Sequence, residues 1–217
     1  MSPRPSTSDG VMEDHTAFVP VQRKLIVISD SMLRGINIGW EAEYVARGGA
    51  QVKDLTSAIR RGPDDVYFNP IWIDGYNLFL IHVGTIDISC GRSTMSIVLD
   101  MRELLEVICH RCPEALIVVS GILYRPFDDK DSFRKVNDTN YALFKLCNSF
   151  HNCLLVKSYA VVKAGRELVT RFFDHSGLHL NDLGREQLSH FLQGQLSVTN
   201  LRGVCNRFGK WVPRFLY

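Results

Sequence analysis

Lys24-Leu-Ile-Val-Ile-Ser29-Asp30-Ser31-Met-Leu-Arg-Gly35 is the stretch on which the fold reading turns. An unbroken apolar run of this length, with no alternation of polar residues, is the pattern of a strand buried on both faces. The polar turn that follows ends the strand abruptly. Four more runs follow the same logic: Ala42–Ala46, weaker and ending at Gly48-Gly49; Asn77–Val83; Ala115–Val119; and the short Leu154–Val156. Between them lie helical patterns at Val52–Arg61, Ser93–Arg111 and Ser132–Phe150, and a last one at Asn181–Ser197. In the second of these Ile97, Met101, Leu104, Leu105 and Ile108 form one stripe, and Pro113 stops the helix.

Strands alternating with helices predict a parallel sheet covered on both faces. The expectation is one three-layer α/β/α sandwich of about five strands in flavodoxin-like order. Its span is 21–199, between a Ser-, Pro- and Asp-rich leader at 1–20, expected to be disordered, and a tail at 200–217.

Composition agrees. The chain has 217 residues, 46% hydrophobic and 22% charged, which is ample for a core and rules out wholesale disorder. The formal net charge of +2 argues against a nucleic-acid binder working through overall charge. No apolar run is long enough for a transmembrane helix, and the polar N-terminus carries no secretory pattern. The six cysteines are therefore expected as thiols in a reducing compartment, intracellular and cytoplasmic.

Sites in parallel sheets form at the C-terminal ends of the strands. After the first strand, Ser31 at the turn can aim its hydroxyl into the crevice, although read alone Ser29-Asp30-Ser31 is an ordinary helix cap. After the second strand, Gly48-Gly49 permits close backbone approach, or is a plain turn. After the third comes Gly84-Thr85-Ile86-Asp87. After the fifth comes Asp174-His175-Ser176-Gly177-Leu178-His179, just before a helix that Asn181 can cap.

In this order the segments resemble the SGNH or GDSL-like hydrolases over residues 24–197. Ser29-Asp30-Ser31 resembles the family's Gly-Asp-Ser block, with Ser31 as nucleophile. Gly49 resembles the second-block glycine, and Gly84-Thr85-Ile86-Asp87 the Gly-x-Asn-Asp block. Ser176-Gly177-Leu178-His179 resembles Asp-x-x-His. Leu123-Tyr-Arg-Pro-Phe-Asp-Asp-Lys130 also resembles SGNH-like domains of animal mobile elements. The resemblance implies an esterase in which Ser31 attacks and His179 acts as base. The Ser31 and Gly49 N–H groups would hold the oxyanion, with no metal or cofactor.

Two active positions depart from that family, and Ser29 stands where its first block has Gly. Ile86 replaces the Asn that donates to the oxyanion, and Ser176 replaces the Asp that orients the His. Asp174, two residues earlier, is the candidate substitute, if the segment to Leu178 is tightly turned. The departures leave two readings: a weak serine esterase acting on small esters through a Ser31–His179 dyad with a weakened oxyanion hole, or an inactive domain that binds protein or RNA.

Two other constellations remain. Cys109-His-Arg-Cys112, with Cys147, His151 and Cys153, has one Cys-x-x-Cys where a zinc site often has two, and reads as packed thiols. The tail interleaves Arg202, Arg207, Lys210 and Arg214 with Phe208, Trp211, Phe215 and Tyr217. That pattern suits nucleic acid or a membrane surface, and equally aromatics packed back on the domain.

Overall fold

The computed structural model describes residues 23–39, 41–61, 70–164 and 167–201. Five strands form one parallel sheet: β1 (Leu25–Ser29), β2 (Ala42–Ala46), β3 (Leu78–His82), β4 (Leu116–Ser120) and β5 (Cys153–Val156). Their order is β2-β1-β3-β4-β5, the flavodoxin-like order expected. Every residue of β1, β3 and β4 is buried, which is why their sequences are continuous rather than alternating. The weaker β2 is an edge strand with Tyr44 exposed, and its mixed composition follows from that position.

The helices are α1 (Val52–Arg60), α2 (Thr85–Ser89), α3 (Thr94–Arg111), α4 (Lys130–Cys147) and α5 (Asp182–Leu201). α1, α3 and α4 pack side by side, as right-handed crossovers that all advance across one face require. α5 packs instead against the segment after β1: Ser189 Oγ accepts from the Asn37 N–H at 3.3 Å, and Gln193 Nε2 donates to the Asn37 carbonyl at 3.2 Å. The three layers enclose Phe79, Ile26, Ile28, Leu80 and Leu104, all fully buried. Each such side chain contributes about 1.5–3 kcal/mol in transfer from water.

Three features differ from the sequence reading. α4 begins at Lys130 because Asp129 caps it, its Oδ1 accepting from the Ser132 N–H at 2.8 Å. α5 continues to Leu201, into the stretch assigned to the tail. α2 and a small antiparallel pair, β6 (Lys163–Ala164) with β7 (Glu167–Leu168), are too short to leave a periodic signal. The leader and residues 202–217, with their basic and aromatic side chains, lie outside the described residues.

α5 makes its closest approach at Gly184, where a Cβ would sit 2.1 Å from the Phe172 carbonyl oxygen. Gly184→Ala is expected to cost about 1–3 kcal/mol, read as a lower urea midpoint, because backbone must move. Gly194 lies on the same helix with nothing within 4 Å of its Cβ position. Gly194→Ala should be neutral, or stabilising by up to about 1 kcal/mol.

Candidate active site

Ser31 leaves the sheet at the C-terminal end of β1 and opens a short 3-10 turn, Ser31–Leu33, capped by Asp30, whose Oδ1 accepts from the Met32 N–H at 2.9 Å. The turn directs the Ser31 hydroxyl toward the loop that precedes α5. There Ser31 Oγ and His179 Nε2 lie 3.3 Å apart.

The loop holding His179 is shaped by its own polar residues. The Asp174 N–H donates to the His179 carbonyl at 2.8 Å, and the Gly177 N–H donates to the Asp174 carbonyl at 3.0 Å. Asp174–Leu178 is thus tightly turned, and Asp174 Oδ2 comes within 3.8 Å of His179 Nδ1, an ion-pair distance longer than a hydrogen bond. Asp174 Oδ1 accepts from the Ser176 hydroxyl at 2.6 Å and from the Ser176 N–H at 3.1 Å. Those hydrogen bonds, and then His179, hold the Asp174 carboxyl below its ordinary range. The Ser176 hydroxyl is bonded to Asp174 and accepts from the Leu178 N–H at 3.2 Å. Asn181 anchors the far side of the loop: its Nδ2 donates to the Arg171 and Phe173 carbonyls, and its Oδ1 caps α5 at the Gly184 N–H.

A cavity of about 780 Å³ opens beside these groups, lined by Ser31, Arg34, Asp174, His179 and Arg185 among others. Gly49 (φ +77) sits on the turn after β2 and Ile86 in α2, which follows β3, at the same sheet edge, but neither is among the residues lining that cavity. Gly84 is demanded by space, since at φ +120 a Cβ would lie 2.6 Å from Ile122 Cδ1.

Asp87 is fully buried, and its role escaped the sequence. Its Oδ2 accepts from the Val52 N–H at 3.1 Å and its Oδ1 from Arg92 at 2.6 Å. It ties the third loop to the start of α1 and so to the turn carrying Gly49. Arg34 and Arg185, on the cavity wall, were likewise not singled out. Arg34 lies three residues past Ser31, on the same short turn, and that spacing was the available signal.

Of the described cysteines Cys112, Cys147 and Cys153 are buried, Cys109 is half-buried and Cys90 is exposed, and Cys153 lies against Cys147. Cys109 Sγ donates to Asn152 Oδ1 at 3.6 Å and Cys112 Sγ to the Ile73 carbonyl at 3.4 Å. Burial pushes both thiols above their ordinary pKa, which weakens them as ligands and nucleophiles. Among the described residues no helix is long and apolar enough to cross a membrane.

No family model and no curated protein matches this sequence. Solved structures do match in fold. A member of the lipolytic protein G-D-S-L family from Veillonella parvula superposes with TM-score 0.64 at 14% identity, over 80% of this chain and 98% of that one. A GDSL-like lipase from Bacteroides thetaiotaomicron gives 0.63 at 12% identity, over 81% and 88%. A carbohydrate esterase family 3 structure from Talaromyces cellulolyticus gives 0.62 at 13% identity, over 81% and 97%. The chain therefore has the SGNH/GDSL-like hydrolase fold.

Directly beneath Ser31 lies a buried polar group. His82, at the end of β3, places Nδ1 2.8 Å from Ser120 Oγ, and Ser120 donates to Ser158 Oγ at 2.6 Å. His82 Nε2, Asp30 Oδ2 and Thr85 Oγ1 have no protein hydrogen-bond partner. Burial drives both ionisable groups toward their neutral forms: the Asp30 carboxyl is pushed up and the His82 imidazole down, each partly countered by the other's charge. The unfolded chain thus takes up a proton near pH 6.5 that folded His82 refuses, so its contribution is present above that pH and lost as pH falls. Asp30 shifts stability in the opposite sense. The stability gap between wild type and His82→Gln, from urea unfolding, is expected to be wider at pH 7 than at pH 5. A gap independent of pH would mean that His82 titrates in the fold as it does in the unfolded chain.

Proposed function

We propose that this chain hydrolyses carboxylic esters through Ser31, with His179 as base and Asp174 as the group that orients it. The observation that carries the reading is the 3.3 Å approach of Ser31 Oγ to His179 Nε2 at the mouth of a cavity. His179 takes the Ser31 proton as Oγ attacks the carbonyl carbon, then gives it to the departing alkoxide, and water repeats the sequence on the acyl-enzyme. The oxyanion would rest on the N–H groups of Ser31 and Gly49. Asp174 favours the imidazolium that forms in each half-reaction. The scheme calls on no metal or cofactor.

Ile86 supplies no side-chain donor, and an oxyanion donor of that kind is worth about 10²–10³ in rate. That is the observation favouring the second reading, an inactive domain that binds protein or nucleic acid. A location inside the cell is part of either proposal, since it rests on sequence pattern alone.

Hydrolysis of 4-nitrophenyl acetate decides between the two. Weak turnover is expected, lost in Ser31→Ala and His179→Ala, together with labelling of Ser31 by a fluorophosphonate probe. Asp174→Asn should lower the rate by about 10- to 100-fold, short of the ~10⁴ lost where a directly bonded triad Asp is replaced. Turnover indistinguishable from buffer and untouched by Ser31→Ala would leave the binding reading in place.

The missing donor gives a separate expectation. Ile86→Asn should raise kcat by up to about 10² if that side chain reaches the oxyanion. An unchanged rate in a folded variant would mean that this slot is organised differently.

A further inference from the structure

Two guanidiniums face the cavity beside Ser31. Arg185 is engaged: its Nη1 donates to the Leu180 carbonyl at 2.6 Å, and Nη2 pairs with Asp182. Arg34 is not. Among the described residues its side chain forms no hydrogen bond or ion pair. The two carboxylates on the cavity wall are committed elsewhere, Asp174 to Ser176 and His179 and Asp182 to Arg185.

The position of Arg34 is set by the turn that sets Ser31. Its N–H donates to the Ser31 carbonyl at 3.2 Å, closing the 3-10 turn. The guanidinium then reaches toward the loop after β2, where Nη2 would lie 3.1 Å from a Cβ built on Gly48. It therefore stands between the nucleophile and the Gly48-Gly49 turn. Arg47 adjoins the same turn, its pKa lowered by burial and by the charge of Arg61.

We propose that Arg34 binds an anionic group, a carboxylate, carried by the ester substrate within one side-chain reach of the scissile carbonyl. The substrate class is then an acidic ester. The proposal rests on the hydrolase reading of Ser31 and names what that site accepts. A planar guanidinium with free donors matches a carboxylate through paired hydrogen bonds. A neutral ester leaves those donors to water.

The test compares matched esters on the full chain. 4-Nitrophenyl hemisuccinate against 4-nitrophenyl butyrate places the charge on the acyl side, and 3-acetoxybenzoate against phenyl acetate places it on the alcohol side. One anionic ester is expected to exceed its neutral partner by roughly tenfold in kcat/KM, a preference that shrinks as salt rises. The ratio should fall to about one in Arg34→Gln and recover in part in Arg34→Lys. Equal loss on charged and neutral esters would assign Arg34 a structural role and overturn the proposal, as would the absence of any preference in the wild type. Binding of monomethyl succinate, followed by calorimetry on wild type and Arg34→Gln, reads the same site without turnover. Binding that needs Arg34 with no hydrolysis of any ester would sink the hydrolase reading and keep the anion site. Hydrolysis of neutral esters with no role for Arg34 in either assay would do the reverse.

Discussion

The arrangement of the site depends on one stretch of backbone pairing. β1 lies between β2 and β3 and is in register with both, so that Ser29 stands opposite Ala46 on one side and His82 on the other. The ladder runs one step further on each side: the Arg47 N–H donates to the Ser29 carbonyl at 2.8 Å, and the Asp30 N–H to the His82 carbonyl at 3.0 Å. Three chain segments consequently leave the sheet at the same level. Ser31, the Gly48-Gly49 turn and Gly84 begin there because their strands end together. With both faces of β1 and β3 buried, a slip of one residue would break this coincidence while leaving apolar side chains inside. Register is therefore held less by hydrophobic pattern than by the polar residues at the strand ends.

Those polar residues form the floor of the site. Asp30 caps the Ser31 turn from below, Asp87 fastens the third loop to α1, and Asn181 fastens the His179 loop to α5. None of the three touches the cavity chemistry, except that Asn181 forms part of the wall. Each satisfies backbone groups that a tight turn would otherwise leave unpaired, at a cost of about 1–3 kcal/mol apiece. The alignment of Ser31 with His179 is thus a product of hydrogen bonds made by their neighbours.

The sheet was legible because β1, β3 and β4 are buried on both faces, and such strands write their position into sequence as unbroken apolar runs. Ser31 and His179 were legible because each follows a strand on the edge where parallel sheets carry sites. What escaped has a common physical character. α2 spans five residues, fewer than periodicity can register. Asp87 and His82 sit in stretches whose neighbours look like turn or strand, and their work is done by side chains meeting partners far along the chain, Val52 and Ser120. The separation of Asp174 from His179 could not be read either, because it depends on how tightly five intervening peptide units fold. The hydrogen bonds from the Asp174 N–H to the His179 carbonyl and from the Gly177 N–H to the Asp174 carbonyl close that turn.

The two departures from the hydrolase pattern differ in weight once distances are known. A carboxylate steadies an imidazolium through charge, and charge falls off only inversely with distance. Moving the carboxylate from a hydrogen-bonded position to the observed 3.8 Å gives up about a quarter of the direct attraction at equal dielectric. Replacing the usual residue by Ser176 is therefore partly offset by Asp174, with Ser176 itself holding that carboxylate in place. An oxyanion donor works differently, since it must stand at hydrogen-bond length and point at an oxygen that exists only in the transition state. Ile86 offers nothing of that kind. In the proposed hydrolysis the weaker provision is thus for the developing negative charge, while Ser31 has His179, and behind it Asp174, within reach.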